Sequence, residues 1–240
     1  MAKFSLMYEK LCRAILTIFV VNVAILVHTL AGLIIVGLFP SLAAANATYR
    51  TWLLSDDRSW TVSQTWKLFH REWKSNLKSS QVLGYLQLVV GILLAYDYWI
   101  VNTNARTGMT GVVLSGFLAV LLVVFLLFSV MSWVMASHFD EGLAWIARTS
   151  LGMVVARPLC SLMLLCTIFL IGWVCCRWPG VFVGFGFSLL VFAGQAVVYS
   201  LVICLDSPPA NRKKLLQNQE NKQPTAFTIC VFSHNLSMIQ

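Results

Sequence analysis

Three ionisable residues stand almost side by side at one point of the chain: His138, Asp140 and Glu141. An imidazole beside two carboxylates is the raw material of an acid/base pair or a divalent-metal site. No further His, Cys or Asp comes at ligand spacing, so the group reads as a solvated helix end. Other catalytic signatures are missing as well: there is no H-E-x-x-H, no G-x-S-x-G and no P-loop. The seven cysteines, Cys12, Cys160, Cys166, Cys175, Cys176, Cys204 and Cys230, are an odd number and sit mostly inside apolar runs. They read as small packing residues, with Cys175-Cys176 the one suggestive pair. The sequence therefore predicts no enzyme, no metal site and no cofactor.

Polar residues at depth offer a second kind of chemistry. Ionisable groups in hydrocarbon mark ion paths and proton relays, and here His28 alone titrates far inside an apolar run. It reads as hydrogen-bonded packing. Asn22, Thr29, Gln87, Ser129, Ser132 and Gln195 are uncharged, and their plain reading is interhelical hydrogen bonding worth about 1 kcal/mol or less each. Asn22, His28, Gln87 and Gln195 would line a pocket for an uncharged solute if they converged. Apart from Arg177 at the edge of the fourth run, no Lys, Arg or Glu lies within the apolar runs, which disfavours a proton- or sodium-driven transporter.

The elements that must position these residues can be read from composition. Of 240 residues, 59% are hydrophobic and 11% charged, with a mean hydropathy of +0.79. Soluble domains are far more polar, and repeated apolar stretches of 18 or more residues are membrane helices. The expected fold is all-α: a polytopic membrane bundle of about five helices over 14–39, 82–101, 109–136, 158–178 and 181–205. The first run, closed by Pro40, is too long for a signal-peptide core and is expected to be a mature helix. Residues 1–206 make the membrane domain, and 207–240 a flexible, polar cytoplasmic tail. The recurrences Gly180/Gly184/Ser188 and Gly111/Ser115/Ala119 are small-residue ridges suited to close helix packing. No internal repeat of a transporter type is present.

The charge balance, 17 Lys+Arg against 9 Asp+Glu, is explained by basic cytoplasmic loops rather than by nucleic acid. Segment 41–80 carries Arg50, Arg58, Lys67, Arg71, Lys74 and Lys78, so it, the 137–157 connection and the tail are expected inside. That places the N-terminus outside, against the pull of Lys3, Lys10 and Arg13. The triplets Asn46-Ala-Thr and Asn235-Leu-Ser then lie inside and are not glycosylation sites.

Segment 41–80 is the most informative. Val62, Trp66, Phe69, Trp73 and Leu77 recur at helical spacing, with Lys67, His70, Arg71, Lys74 and Lys78 on the other faces. Thr61 and Gln64 have the spacing of a capping box. Such a helix is expected to lie in the cytoplasmic membrane surface, tryptophans in the headgroup layer and lysines toward phosphates. It either anchors the fold or docks a partner through Trp66, Phe69, Trp73, Lys67, Arg71 and Lys74. A weaker pattern precedes it at Leu42, Ala45, Tyr49 and Trp52, with Ser55-Asp56-Asp57-Arg58-Ser59 as the turn between.

These same residues carry a resemblance. A first helix ending Gly37-Leu-Phe-Pro-Ser-Leu-Ala-Ala-Ala is followed by Tyr49-Arg-Thr-Trp-Leu. Then comes Trp66-Lys-Leu-Phe-His-Arg-Glu-Trp-Lys-Ser-Asn-Leu-Lys-Ser-Ser-Gln-Val-Leu-Gly. The set resembles the YesL-like family of bacterial membrane proteins, as do His138-Phe-Asp-Glu and Gly186-Phe-Ser-Leu-Leu. The resemblance covers about Tyr8 to Leu205. Ser41, where the family usually has Ala, departs from it, as do the Trp- and Cys-rich spans. No catalytic residues are recognised in that family. The resemblance implies a bacterial cytoplasmic-membrane protein linked with carbohydrate uptake, an accessory to the permease subunits of a sugar ABC importer. An independent carrier for an uncharged small solute is the alternative.

Overall fold

A computed structural model describes residues 2–55, 59–103, 108–139 and 141–199. Every element among them is helical. In chain order they are α1 (Ala2–Ala31), α2 (Leu38–Leu54), α3 (Val62–Ser75), α4 (Ser79–Thr103), α5 (Gly108–His138), α6 (Leu143–Ala156) and α7 (Pro158–Arg177). A single turn, α8 (Pro179–Val181), then leads through a π-helical stretch, Phe182–Gly186, into α9 (Phe187–Val198). The Asp56–Arg58 part of the expected turn, Asp140 and the whole tail lie outside the described residues, as does the 200–205 end of the expected fifth span.

Five helical stretches are long and apolar enough to cross a bilayer: Leu11–Ala31, Ser79–Thr103, Gly108–His138, Pro158–Arg177 and Pro179–Val198. Their outward faces stay apolar and uncovered, with Val112 74% and Phe169 75% exposed. Aliphatic surface on that scale needs hydrocarbon rather than water around it. The protein is a multi-pass membrane helical bundle.

The first span ends earlier than its apolar run. The sequence predicts one helix over 14–39, but the chain breaks after Ala31 and turns back through residues 32–37. Leu33 and Ile34 take left-handed φ values of 56° and 61°, a conformation residues other than Gly seldom adopt and β-branched ones such as Ile least of all. Gly32 and Gly37 meet so closely that a Cβ on either would strike backbone. The Ile34 N–H donates to the Thr29 carbonyl at 2.8 Å, closing the helix end. Tyr85 Oη and Gln81 Nε2 of α4 donate to the carbonyls of Ile35 and Val36, each at 3.0 Å, and pin the turn to the bundle.

A second correction concerns the next helix. Residues 41–54, expected as a weak interfacial piece, belong to a helix that packs inside the bundle. Phe39, Ser41, Ala44, Ala45, Asn46, Thr48, Tyr49 and Trp52 of α2 are all buried. Pro40 starts this helix instead of ending the previous one, since the first turn has no carbonyl for its missing N–H to bond. Its polar side chains bond to their own helix: Ser41 Oγ donates to the Gly37 carbonyl (2.7 Å) and Thr48 Oγ1 to that of Ala44 (2.7 Å). Back-bonding of this kind lets hydroxyls sit in a packed interface.

Two apolar clusters hold the bundle. One joins Ile18, Val21, Ala24 and Ile25 of α1 to Ala44, Ala45 and Tyr49 of α2, Phe69 of α3 and Val191 of α9. The other joins Leu127, Met131, Val134 and Met135 of α5 to Ile146, Met153, Cys160, Leu164 and Val198. The predicted ridge Gly180/Gly184/Ser188 does not pack as one surface. Nothing lies within 4 Å of a Cβ built at Gly180 or Gly184, while Ser188 is fully buried. Close approach falls instead at Gly84, under the Phe39 ring, and at Gly194, where a Cβ would stand 3.1 Å from Val130.

Candidate functional site

Ser188 near the start of α9, Gln195 near its end and Tyr199 directly after it are spaced seven and four apart, so they share one face. That face looks onto α1, α2 and the end of α5, and it carries a continuous polar seam.

The seam begins at Asn22 of α1. Its Nδ2 donates to the Val183 carbonyl at 2.8 Å, and its Oδ1 accepts from the Ser188 N–H at 3.2 Å. Val183 and Ser188 are five residues apart, the pair a π-helix would join directly. The amide of Asn22 is therefore inserted into the ladder of the neighbouring helix. Ser188 Oγ donates to the Ile18 carbonyl at 2.7 Å, which leaves its lone pairs for the Tyr49 hydroxyl.

Two turns on, Gln195 Nε2 donates to Asn46 Oδ1 and to Ser137 Oγ, both at 3.0 Å. With its amide nitrogen so used, Gln195 Oε1 is left to accept from His138 Nε2, at 3.4 Å. The Arg50 guanidinium closes the seam by donating from Nη1 to the Ser137 carbonyl at 2.5 Å. Beside it the His138 and Tyr199 rings lie 5.4 Å apart. His138 is thus part of an interhelical network, whereas the sequence reads it as a solvated helix end. Glu141 is exposed and Asp140 lies outside the described residues, so the expected trio is not seen as one cluster.

Gln87 is engaged elsewhere. Its Nε2 donates to Ser132 Oγ at 2.5 Å, and its Oε1 accepts from Ser129 Oγ at 3.0 Å, tying α4 to α5. Asn22 and Gln195 are therefore bonded to different partners at two levels of the seam, and Gln87 lies apart between α4 and α5, so the three do not line one pocket.

His28 joins none of these. Its Nδ1–H donates to the Ala24 carbonyl at 2.9 Å, so its Nε2 is the acceptor for His70 Nδ1–H at 3.0 Å. Trp66, Phe69 and Trp73 surround the imidazole with ring centroids 5.0–5.4 Å away. The predicted capping box is present: Thr61 Oγ1 accepts from the Gln64 N–H, and Gln64 Oε1 from the Thr61 N–H. The apolar stripe of α3 is also as predicted, but it faces protein. Phe69 is fully buried against α1 and α2, with Trp66 and Trp73 partly covered beside it. Burial of the stripe on the α1–α2 pair removes more apolar surface from water than a headgroup layer would, and it shields the His28 hydrogen bonds. Lys67, His70, Arg71 and Lys74 remain exposed, and they are what α3 offers outward.

Asn46, Tyr49 and Arg50 are not legible as site residues from the sequence, because the pattern of α2 is that of a surface helix. The signal that could have found them is the i, i+3, i+4 grouping of one amide, one phenol and one guanidinium in an Ala-rich helix.

The family described as "Protein of unknown function, DUF624" matches residues 18–98, the α1–α4 region holding the turn, α2 and the α3 stripe. The chain is 26% identical over 153 residues to "Uncharacterized protein YesL" of Bacillus subtilis (strain 168), covering 64% of this chain and 69% of that protein. It is 24% identical over 197 residues to "Uncharacterized protein YteU" of the same organism, covering 81% and 84%. The chain is thus similar to the YesL-like membrane proteins, a family without an assigned function. No solved structure matches it.

Proposed function

We propose that this chain is a non-enzymatic accessory protein of a carbohydrate ABC importer. It would sit in the bacterial cytoplasmic membrane with its C-terminus inside, meeting the permease or adjacent lipid through the basic face of α3. The observation that carries the reading is the docking of α3. Its aromatic stripe is spent on the α1–α2 pair and on His28, which holds Lys67, Arg71 and Lys74 outward in a fixed row. A rigid basic row on a membrane protein suits anionic headgroups or acidic partner loops.

The spans support the same reading. Arg13 is exposed and paired with Glu9 at 2.8 Å, Asp97 is exposed near the end of α4, and Arg177 closes α7. No carboxylate or cation stands midway along a described span to couple solute to an ion gradient. The polar residues that could line a solute path are bonded in separate helix contacts.

The test is recovery of the permease with the full-length chain as bait, comparing it with the K67E/R71E/K74E variant. Those side chains are exposed, so the variant is expected to fold and to lose permease. Equal recovery removes the α3 contact. Uptake of sugar into vesicles holding this chain alone would replace the accessory reading with that of an independent carrier.

A further inference from the structure

Arg50 has no counter-charge among the described residues. It is partly buried where α2 meets the ends of α5 and α9, and one of its five N–H donors is accounted for by the Ser137 carbonyl. The ion pairs seen among the described residues, Arg13–Glu9 and Arg71–Glu72, lie elsewhere. A guanidinium drawn out of bulk water in this way carries a desolvation cost that an anion would offset.

A second donor waits near it, at the last described residue of the final helix. The Tyr199 hydroxyl is buried and has no hydrogen-bond partner, although buried hydroxyls nearly always have one. A phenol keeps its proton at neutral pH and can donate. His138 packs at 5.4 Å on the Tyr199 ring and is itself held by Gln195, which fixes one wall beside the donors.

We infer that Arg50 and Tyr199, walled by His138 and Gln195, form a binding site for a single oxyanion of the phosphate class. The guanidinium supplies two parallel N–H donors to a tetrahedral oxyanion and the phenol a third, neutral one. Nothing among the described residues at the site repels an anion: the nearby partners are amides, hydroxyls and an imidazole. The same chemistry is presented by free inorganic phosphate and by the phosphate of an anionic lipid, and the experiment separates them.

Thermal unfolding of the full-length chain is followed in detergent against inorganic phosphate, with chloride matching ionic strength. It is then followed in nanodiscs of phosphatidylcholine with and without phosphatidylglycerol. Wild type is expected to gain melting temperature with rising phosphate, with phosphatidylglycerol, or with both. A response to phosphate alone assigns the site to a soluble ligand, and one to phosphatidylglycerol alone to a headgroup. Arg50→Gln is expected to raise the half-effective phosphate concentration at least about tenfold, the loss of hydrogen bonds to a charged group. Tyr199→Phe, which keeps the ring and its packing, is expected to raise it about fivefold and remains informative if Arg50→Gln fails to fold. Absence of any response to either anion in wild type overturns the assignment. So does a Tyr199→Phe variant that responds at the wild-type concentration.

Discussion

Asn22 reaches across 166 residues of sequence to take the backbone N–H of Ser188, at 3.2 Å. The same amide holds the Val183 carbonyl, so one side chain stabilises the π-helical stretch that aims the rest of α9. π-Turns leave backbone groups unpaired and persist where something satisfies them.

Replacing Asn22 with Leu leaves both backbone groups orphaned in a buried contact. The expected loss is about 1–3 kcal/mol, seen as a lower melting temperature in detergent. Asn22→Asp is expected to fall too, because a carboxylate cannot donate to the Val183 carbonyl. Unchanged melting in both would show that the helix closes its own ladder without help.

The His28–His70 hydrogen bond fastens α3 to α1. His70→Phe keeps a ring of similar size and removes the Nδ1–H donor. Amide exchange over residues 62–75 is expected to quicken about five- to tenfold, corresponding to roughly 1 kcal/mol of local stability. Exchange in α7, remote from the clasp, is expected to stay put. Identical rates across 62–75 would mean that Phe69 and the tryptophans hold α3 alone.

Gly84 lies beneath Phe39, whose ring is edge-on to Tyr85 at 5.0 Å and parallel to Trp133 at 6.3 Å. A methyl group there must push the ring away, so Gly84→Ala is expected to destabilise by about 1–3 kcal/mol. Phe39→Leu in the same background should recover part of the loss. Simple additivity of the two substitutions would place the ring elsewhere.

Gln87 and Ser132 make a self-contained pair for a double-mutant cycle. Gln87→Leu is expected to cost about 1 kcal/mol in a bundle of this kind. Ser132→Ala should add little once Gln87 has gone, since their hydrogen bond is shared. Independent losses would argue against it.

The bundle is readable from sequence because its apolar runs exceed the thickness of hydrocarbon, and the described ends of the later spans shift by a few residues at most. The α3 capping box is readable because it is a local pattern three residues wide. What the stripe faces is not, since Trp66, Phe69 and Trp73 suit a headgroup layer and a protein interior equally well. The choice between them rests on His28, forty-two residues from its partner. α2 escapes for a related reason. Pro40 and the polar residues Asn46, Thr48 and Arg50 look like surface until their back-bonds and cross-helix partners are known. Gln87 and Gln195 are recognisable as hydrogen-bonding residues, but a sequence carries no measure of whether two amides meet each other or different neighbours.

The π-helical stretch gives the chain a phase. One residue of helix corresponds to a rotation of about 100°, and residues 182–186 fit one more residue into a turn than an α-helix does. Deleting any one of them would let the backbone rewind as ordinary helix and swing Ser188, Gln195 and Tyr199 round to face the surrounding lipid together. Length between Pro179 and Ser188 is therefore under tighter constraint than composition: apolar exchanges there, Gly186 under the Phe182 ring excepted, should be tolerated, while a single-codon indel should disconnect the last helix from every polar partner it has.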